Sequence, residues 1–386
     1  MHITRLYIEG FRGIDKREIK LNPGLNILRG RRCSGKTSVV DSLLFLQRFS
    51  ISPSRSLENL LHTWFTYAVV HRSGNKFTVA VETNGEDEEK GVFGLTGDVK
   101  GNSINEFYVV KDTIVSMKMD SMEISSIFLS RASFLEEVKS RLGENIWSRI
   151  SKKRIKYKRV PWKTIAGLVW SEITHYGFEI AYKKIPEAIA TILVNRAVDL
   201  SKEERETLKP RLAEILRYAF KINRFLRRSV VAKHIDYKNA IGPSKLRGHS
   251  IDPHFSNLPW ILYNMYRVEK HGGVIDCLSR LGVRDGLHGI DKTVDHRYYI
   301  VVSSQGREIM REGIATSFVK SLALCTAINY AEELVVVDDF DEYLDEELAG
   351  NFLRLAVETS KQVILTTRRS SGYLGAGFKS TIIDIG

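Results

Sequence analysis

At 386 residues the chain is long enough for two domains with separate cores, and its 43% apolar content is that of an ordinary globular protein. No run of eighteen or more apolar residues occurs, and the opening MHITRLYIEGFRG alternates like a strand and lacks the charged-then-apolar layout of a signal peptide, so a cytoplasmic protein with no membrane partner is expected. The net charge of +12 is concentrated, because residues 151–250 hold 23 Lys and Arg against 9 Asp and Glu while the rest of the chain holds 35 against 37.

HITRLYIEGF reads as a strand, Gly13 as a turn, REIKL as a second strand, and LNILRG as a short apolar strand that runs into a glycine-rich loop. SVVDSLLFLQRF then places Val39, Val40, Leu43, Leu44 and Gln47 at helical spacing. YAVVHRSGNKFTVAVET reads as a hairpin turning at Ser73, Gly74 and Asn75, with a polar acidic loop at Asn84 to Lys90. From about Arg131 the periodicity becomes helical in FLEEVKSRLGENIWSRI, which leads into the basic run KKRIKYKR. SKEERETLKPRLAEILRYAFKINRFLRR is a further helix opened by a capping box, Ser201 with Glu204. Near Arg297 strands return, with RYYIVV, SSQG and REIM as a hairpin, then an apolar helix from Ser317 to Tyr330 and the strands LVVV and QVILTT. The expected division is 1–130 and 286–386 as two parts of one α/β unit, with 131–285 an inserted basic helical lobe.

GRRCSGKT, residues Gly30, Arg31, Arg32, Cys33, Ser34, Gly35, Lys36 and Thr37, matches the phosphate-loop pattern in full, between an apolar strand and a helix that continues through Ser38. Such a loop wraps phosphates with backbone N–H groups. Lys36 neutralises phosphate charge and the Thr37 hydroxyl ligates Mg²⁺. An ordinary strand-to-helix turn is the alternative. LVVVDD ends a buried strand on Asp338 and Asp339, where ligands bind in parallel sheets. Asp338 is expected to hold Mg²⁺ and Asp339 to orient the attacking water, the alternative being a strand that exits into solvent.

The order FRGI at Phe11 to Ile14, LNPGLNILRG, SGKTSVVDSLLFL, MREGIATSFVKSLAL around Gly313 and DDFDEYLD at Asp338 to Asp345 resembles ATP-binding cassette heads of the SMC and RecF type, and the related overcoming-lysogenization-defect (OLD) ATPases. The resemblance covers roughly the first and last hundred residues. It implies a P-loop ATPase with a mixed or parallel α/β sheet, a β-rich N-terminal lobe, ATP and Mg²⁺ as cofactors, and an ATP-dependent homodimer in which Gly313 of one copy covers the nucleotide of the other. Asp345 is either a D-loop residue facing the partner or a helix cap. Three positions depart from the family: Arg311 at the signature serine, Asp339 where Glu is usual, and Arg368 at the switch histidine. Slow hydrolysis is therefore expected, and Arg368 or Arg311 could act as an arginine finger.

The function so implied is DNA repair or chromosome maintenance. Its alternatives are an OLD-like partner of a separate nuclease or toxin, and a slow nucleotide-gated clamp. DNA phosphates are assigned to Lys152, Lys153, Arg154, Lys156, Lys158, Arg159, Arg224, Arg227 and Arg228, although an ion-pair-rich surface gives the same composition. Aromatic residues interleave there at Tyr157, Trp162, Tyr218, Phe220 and Phe225, but helical spacing puts Tyr218 and Phe225 in a core. Cys33, Cys277 and Cys325 show no paired spacing, so plain thiols are expected, with neither a disulfide nor a zinc site.

Overall fold

A computed structural model of the chain describes residues 1–51, 74–85, 90–100, 103–110, 113–120, 123–131, 154–155, 160–161, 185–195, 201–244, 250–283, 286–369 and 380–385. Contacts divide the chain into two units, one formed by Met1, Ile3–Lys20 and Phe45–Leu226, the other by His2, Leu21–Leu44 and Arg227–Gly386. These limits differ from those read at 130/131 and 285/286. Composition changes along the chain, whereas contacts follow strand pairing, and pairing joins segments far apart in sequence.

The first unit is built on an antiparallel sheet. Its strands are β1 (His2–Phe11), β2 (Ile14–Lys20), β4 (Lys76–Asn84), β5 (Lys90–Asp98), β6 (Ser103–Val110), β7 (Thr113–Asp120), β8 (Glu123–Arg131) and the short β9 (Arg154–Ile155) and β10 (Val160–Pro161). They run in the order β10-β8-β7-β6-β5-β4-β1-β2, with β9 also on β8. The turn expected at Gly13 closes the β1–β2 hairpin, where Phe11 pairs with Ile14. Rings of Phe11, Phe45 and Phe77 meet at 5.3 to 5.8 Å in tilted and edge-on arrangements. A helix at 185–195, α2, and the long α3 (Lys202–Arg227) complete the described part.

The capping box of α3 forms as read. The Glu204 amide donates to Ser201 Oγ at 3.2 Å and the Ser201 amide to Glu204 Oε2 at 2.9 Å. Leu212, Ile215, Tyr218, Ala219, Ile222, Phe225 and Leu226 form its apolar stripe, so Tyr218 and Phe225 are core residues. The stretch 67–73 of the expected first hairpin, Ser73 of its turn included, and the helical reading of FLEEVKSRLGENIWSRI lie outside the described residues.

The second unit carries a parallel sheet of β11 (Val230–Ala232), β15 (Leu334–Val337), β16 (Gln362–Thr367), β3 (Leu25–Arg29) and β17 (Ser380–Asp384), in the order β11-β15-β16-β3-β17. The three central strands are almost wholly buried, as continuous apolar runs such as LVVV require. Helices α4 (Tyr237–Ala240), α5 (Leu258–Arg267), α6 (Gly272–Leu281), α7 (Thr316–Tyr330) and α8 (Glu346–Glu358) belong to this unit, as does the hairpin sheet of β12 (Gly286–Lys292), β13 (Tyr298–Ser304) and β14 (Arg307–Ile309). Helix α7 is buried along almost its whole length, from Phe318 to Ile328.

One expectation is corrected here. Cys277 on α6 and Cys325 on α7 form a disulfide, with Cα atoms 5.6 Å apart and 48 residues between them in sequence. Their spacing gave no sign of it because the pairing depends on α6 lying against α7. Cys33 is free and exposed. Among the described residues no helix is long and apolar enough to cross a membrane.

Candidate nucleotide site

All the phosphate-loop and acidic-strand residues singled out in the sequence lie in the second unit, at the carboxyl ends of β3 and β15. Chain crossover there follows from the strand order, in which β16 separates the two. Parallel strands with helical returns leave a crevice beyond their carboxyl ends, and ligands bind in it.

Between β3 and α1 (Lys36–Ile51) the loop turns through two left-handed residues, Cys33 at φ +63° and Gly35 at φ +93°. Gly30 admits no side chain, since a Cβ would lie 2.2 Å from the Ile385 carbonyl oxygen and 2.6 Å from Ser34 Oγ. The loop is closed by the Ser34 amide donating to the Arg31 carbonyl at 3.3 Å. Lys36 curls back over it, with Nζ donating to the carbonyls of Gly30 at 2.6 Å and Arg31 at 2.9 Å. The first amides of α1 have no carbonyl of their own helix to reach, which makes this end suited to an anion. Thr37 is exposed and Ser38 half-buried.

The acidic turn is held from β16. The Thr366 hydroxyl donates to Asp338 Oδ1 at 2.6 Å and accepts the Asp339 amide at 2.8 Å. The Thr367 hydroxyl donates to Asp341 Oδ2 at 2.7 Å. Asp339 is left-handed at φ +42° and its carboxylate is paired with the Arg368 guanidinium. Burial raises the Asp339 carboxyl above the usual carboxylate range and the neighbouring Asp338 adds to this, while Arg368 and then Lys36 pull it back. Because β15, β16 and β3 pair in parallel, the acidic turn after β15 and the phosphate loop after β3 leave the same end of the sheet.

Several polar residues at this site were not singled out in the sequence. Lys233 and His234 follow β11, a strand too short to announce itself. Lys233 Nζ lies 3.0 Å from Asp41 Oδ1 on α1, and the His234 ring lies tilted against His254 with centroids 4.4 Å apart and feels the charge of Glu342 and Asp338. Burial, then His254 and Lys233, keep the His234 imidazole below its ordinary pKa. Lys320 was also missed, although a single charge inside SFVKSLALC was a signal.

At the rim, Arg311–Gly313 form a 3-10 turn, and Arg311 donates to the Lys238 carbonyl. The Gly313 amide donates to Met310 at 2.8 Å. Asp345 caps α8, its Oδ1 accepting the Leu348 amide at 2.7 Å.

Of the basic residues assigned to nucleic acid, Arg224 and Arg227 are exposed at the end of α3, and Arg228 pairs with Glu332. Arg154 lies on β9; its side chain, and Lys152, Lys153, Lys156, Lys158 and Arg159, lie outside the described residues.

No protein-family model matches the chain. Over 103 residues the chain is 32% identical to the DNA replication and repair protein RecF of Klebsiella pneumoniae, and equally to RecF of Salmonella paratyphi B. That stretch is 27% of this chain and 26% of each relative, so the chain spans about a quarter of the curated relatives it matches. Among solved structures, a Smc head domain bound to the C-terminal domain of ScpA, from Pyrococcus furiosus, aligns over 99% of this chain and 93% of that one at 16% identity and a TM-score of 0.43. The recombination mediator protein RecF bound to ATPrS aligns over 100% and 96% at 12% identity and a TM-score of 0.43. What the comparisons show is therefore a likeness in sequence to the DNA replication and repair protein RecF over that stretch.

Proposed function

We propose that the chain binds ATP with Mg²⁺ at the end of the parallel sheet, pairs with a second copy when it does so, hydrolyses the nucleotide slowly, and acts on DNA in repair or chromosome maintenance. The observation that carries this is that the phosphate loop with Lys36 and the acidic turn with Asp338 and Asp339 leave the same end of one parallel sheet. The donor set fits. Mg²⁺ is usually held by one or two carboxylates and hydroxyls together with substrate phosphates and water, and needs no cage of protein ligands. Thr37 and Asp338 supply that minimum. Bound Mg²⁺ would neutralise charge developing on the phosphates. Lys36 would leave the Gly30 and Arg31 carbonyls for phosphate oxygens, Asp338 would stay oriented by Thr366, and Asp339 would position water. Gly313 and Asp345 would cover the nucleotide of the paired copy, and the basic segment within 131–285, with Arg224 and Arg227, would contact DNA phosphates.

A second reading, a nucleotide-gated clamp that turns over rarely, is favoured by the ion pair between Arg368 and Asp339. A carboxylate engaged by a guanidinium is a poor acceptor for a proton from water. The OLD-like reading would add a separate nuclease or toxin as partner. The deciding experiment is light scattering with ATP and Mg²⁺ on the native chain, Lys36→Ala and Asp339→Asn. Native and Asp339→Asn chains are expected to dimerise and Lys36→Ala to stay unpaired. No change in any of the three sinks the paired-head reading.

A further inference from the structure

Lys320 sits in the middle of α7 and is 0% exposed, among the largest fully buried side chains of the molecule. An ammonium is costly to bury and is found inside a protein only when partners repay its lost hydration. Its partners are all on the acidic turn. Nζ donates to the Asp339 carbonyl at 3.0 Å, and the carboxylates of Glu342, Asp339, Asp341 and Asp338 act on its charge. Burial outweighs them and brings the ammonium down to a pKa of about 8.

The bond falls on the one residue of that turn where backbone geometry and chemistry coincide. Asp339 has φ +42°, a conformation that is strained for a side-chain-bearing residue unless its surroundings hold it. Three hydrogen bonds hold its backbone: its amide donates to Thr366 Oγ1, and its carbonyl accepts from Lys320 Nζ within the core and from the Glu342 amide at 3.1 Å within the turn. Asp338 is adjacent, and both carboxylates are presented by the same turn.

We propose that Lys320 is a positioning residue for the nucleotide site: by holding the Asp339 carbonyl from inside the core, it fixes the turn that aims the Asp338 and Asp339 carboxylates at a divalent cation and its water. The inference rests on the ATP and Mg²⁺ reading above. Lys320 touches neither nucleotide nor metal, and acts only through Asp339. Partners that orient a metal ligand in this way are worth about 10- to 100-fold in metal affinity when removed.

The test uses the full chain with Lys320→Met, which keeps an unbranched apolar stem and loses both donor and charge, and Lys320→Gln, which keeps a donor one bond shorter. Mn²⁺ binding is read by electron paramagnetic resonance in the presence of a non-hydrolysable ATP analogue, beside fluorescent-nucleotide binding without metal and a thermal melt. Lys320→Met is expected to weaken Mn²⁺ by about tenfold or more, with metal-free nucleotide affinity unchanged, and Lys320→Gln to weaken it less. Coulomb's law gives the opposite sign for a lysine that merely repels the cation, since deleting a positive charge nearby tightens metal binding. Unchanged or tighter Mn²⁺ in a folded Lys320→Met chain overturns the positioning role. If that variant does not fold, Lys320→Gln decides alone by the same sign. If the native chain holds no Mn²⁺ with the analogue, the nucleotide reading fails first.

Discussion

Arg368 shows how one substitution along the sheet end changes what the site can do. Its guanidinium is half exposed, while the Asp339 side chain it pairs with is only 12% exposed. A half-exposed ion pair is worth up to about 1 kcal/mol, which corresponds to about fivefold in a rate if it must be broken before the chemical step. Arg368→Gln is therefore expected to raise single-turnover ATP hydrolysis by up to about fivefold and to leave nucleotide-dependent pairing intact. A loss of about a thousandfold in the same assay would place Arg368 on the γ-phosphate as an arginine finger. Asp339→Asn provides the complement. It removes the ion pair and the carboxylate together, so turnover should fall while pairing on ATP persists. The sequence identified both residues as departures from the family; it could not show that they face each other, because β15 and β16 pair in a register that only the fold fixes.

At the level of elements, legibility followed local signals. Helix α3 was read correctly because Ser201, Glu204 and a regular apolar stripe all lie within one stretch. The loop between β3 and α1 was legible because a phosphate loop needs glycine where a side chain would strike the backbone. β11 went unread: three residues, VVA, carry no period, and their place beside β15 is decided by a non-local pairing. The Cys277–Cys325 bond was missed for the same reason. Asp345 is a case where two readings of one residue separate by experiment. As the cap of α8 it satisfies the Leu348 amide, and Asp345→Ala should cost about 1 kcal/mol of stability in chemical denaturation. Asp345→Ser keeps a capping oxygen, so it should restore that stability. If the Ser variant is as stable as the native chain yet fails to pair on ATP, the residue also serves the partner copy.

Across the whole molecule, charge is the property that a fold comparison leaves untouched. Positive charge collects between residues 151 and 250, with 23 basic side chains against 9 acidic ones, and Arg224 and Arg227 are exposed there. Arg228, by contrast, is already paired with Glu332. An ion pair within the protein must be broken before the arginine can neutralise a phosphate, so Arg228 should contribute less to DNA binding than Arg224. Binding that rests on phosphate contacts loses affinity with salt at a slope of about 0.9 per contact on duplex DNA. Arg224→Ala should lower the slope of log affinity against log salt by about 1, whereas Arg228→Ala should leave it nearly unchanged. The measurement is fluorescence anisotropy of a labelled duplex across a salt series, with and without ATP. Equal slopes for both variants and the native chain would mean that the basic surface serves folding or solubility, and DNA contact would have to be sought elsewhere.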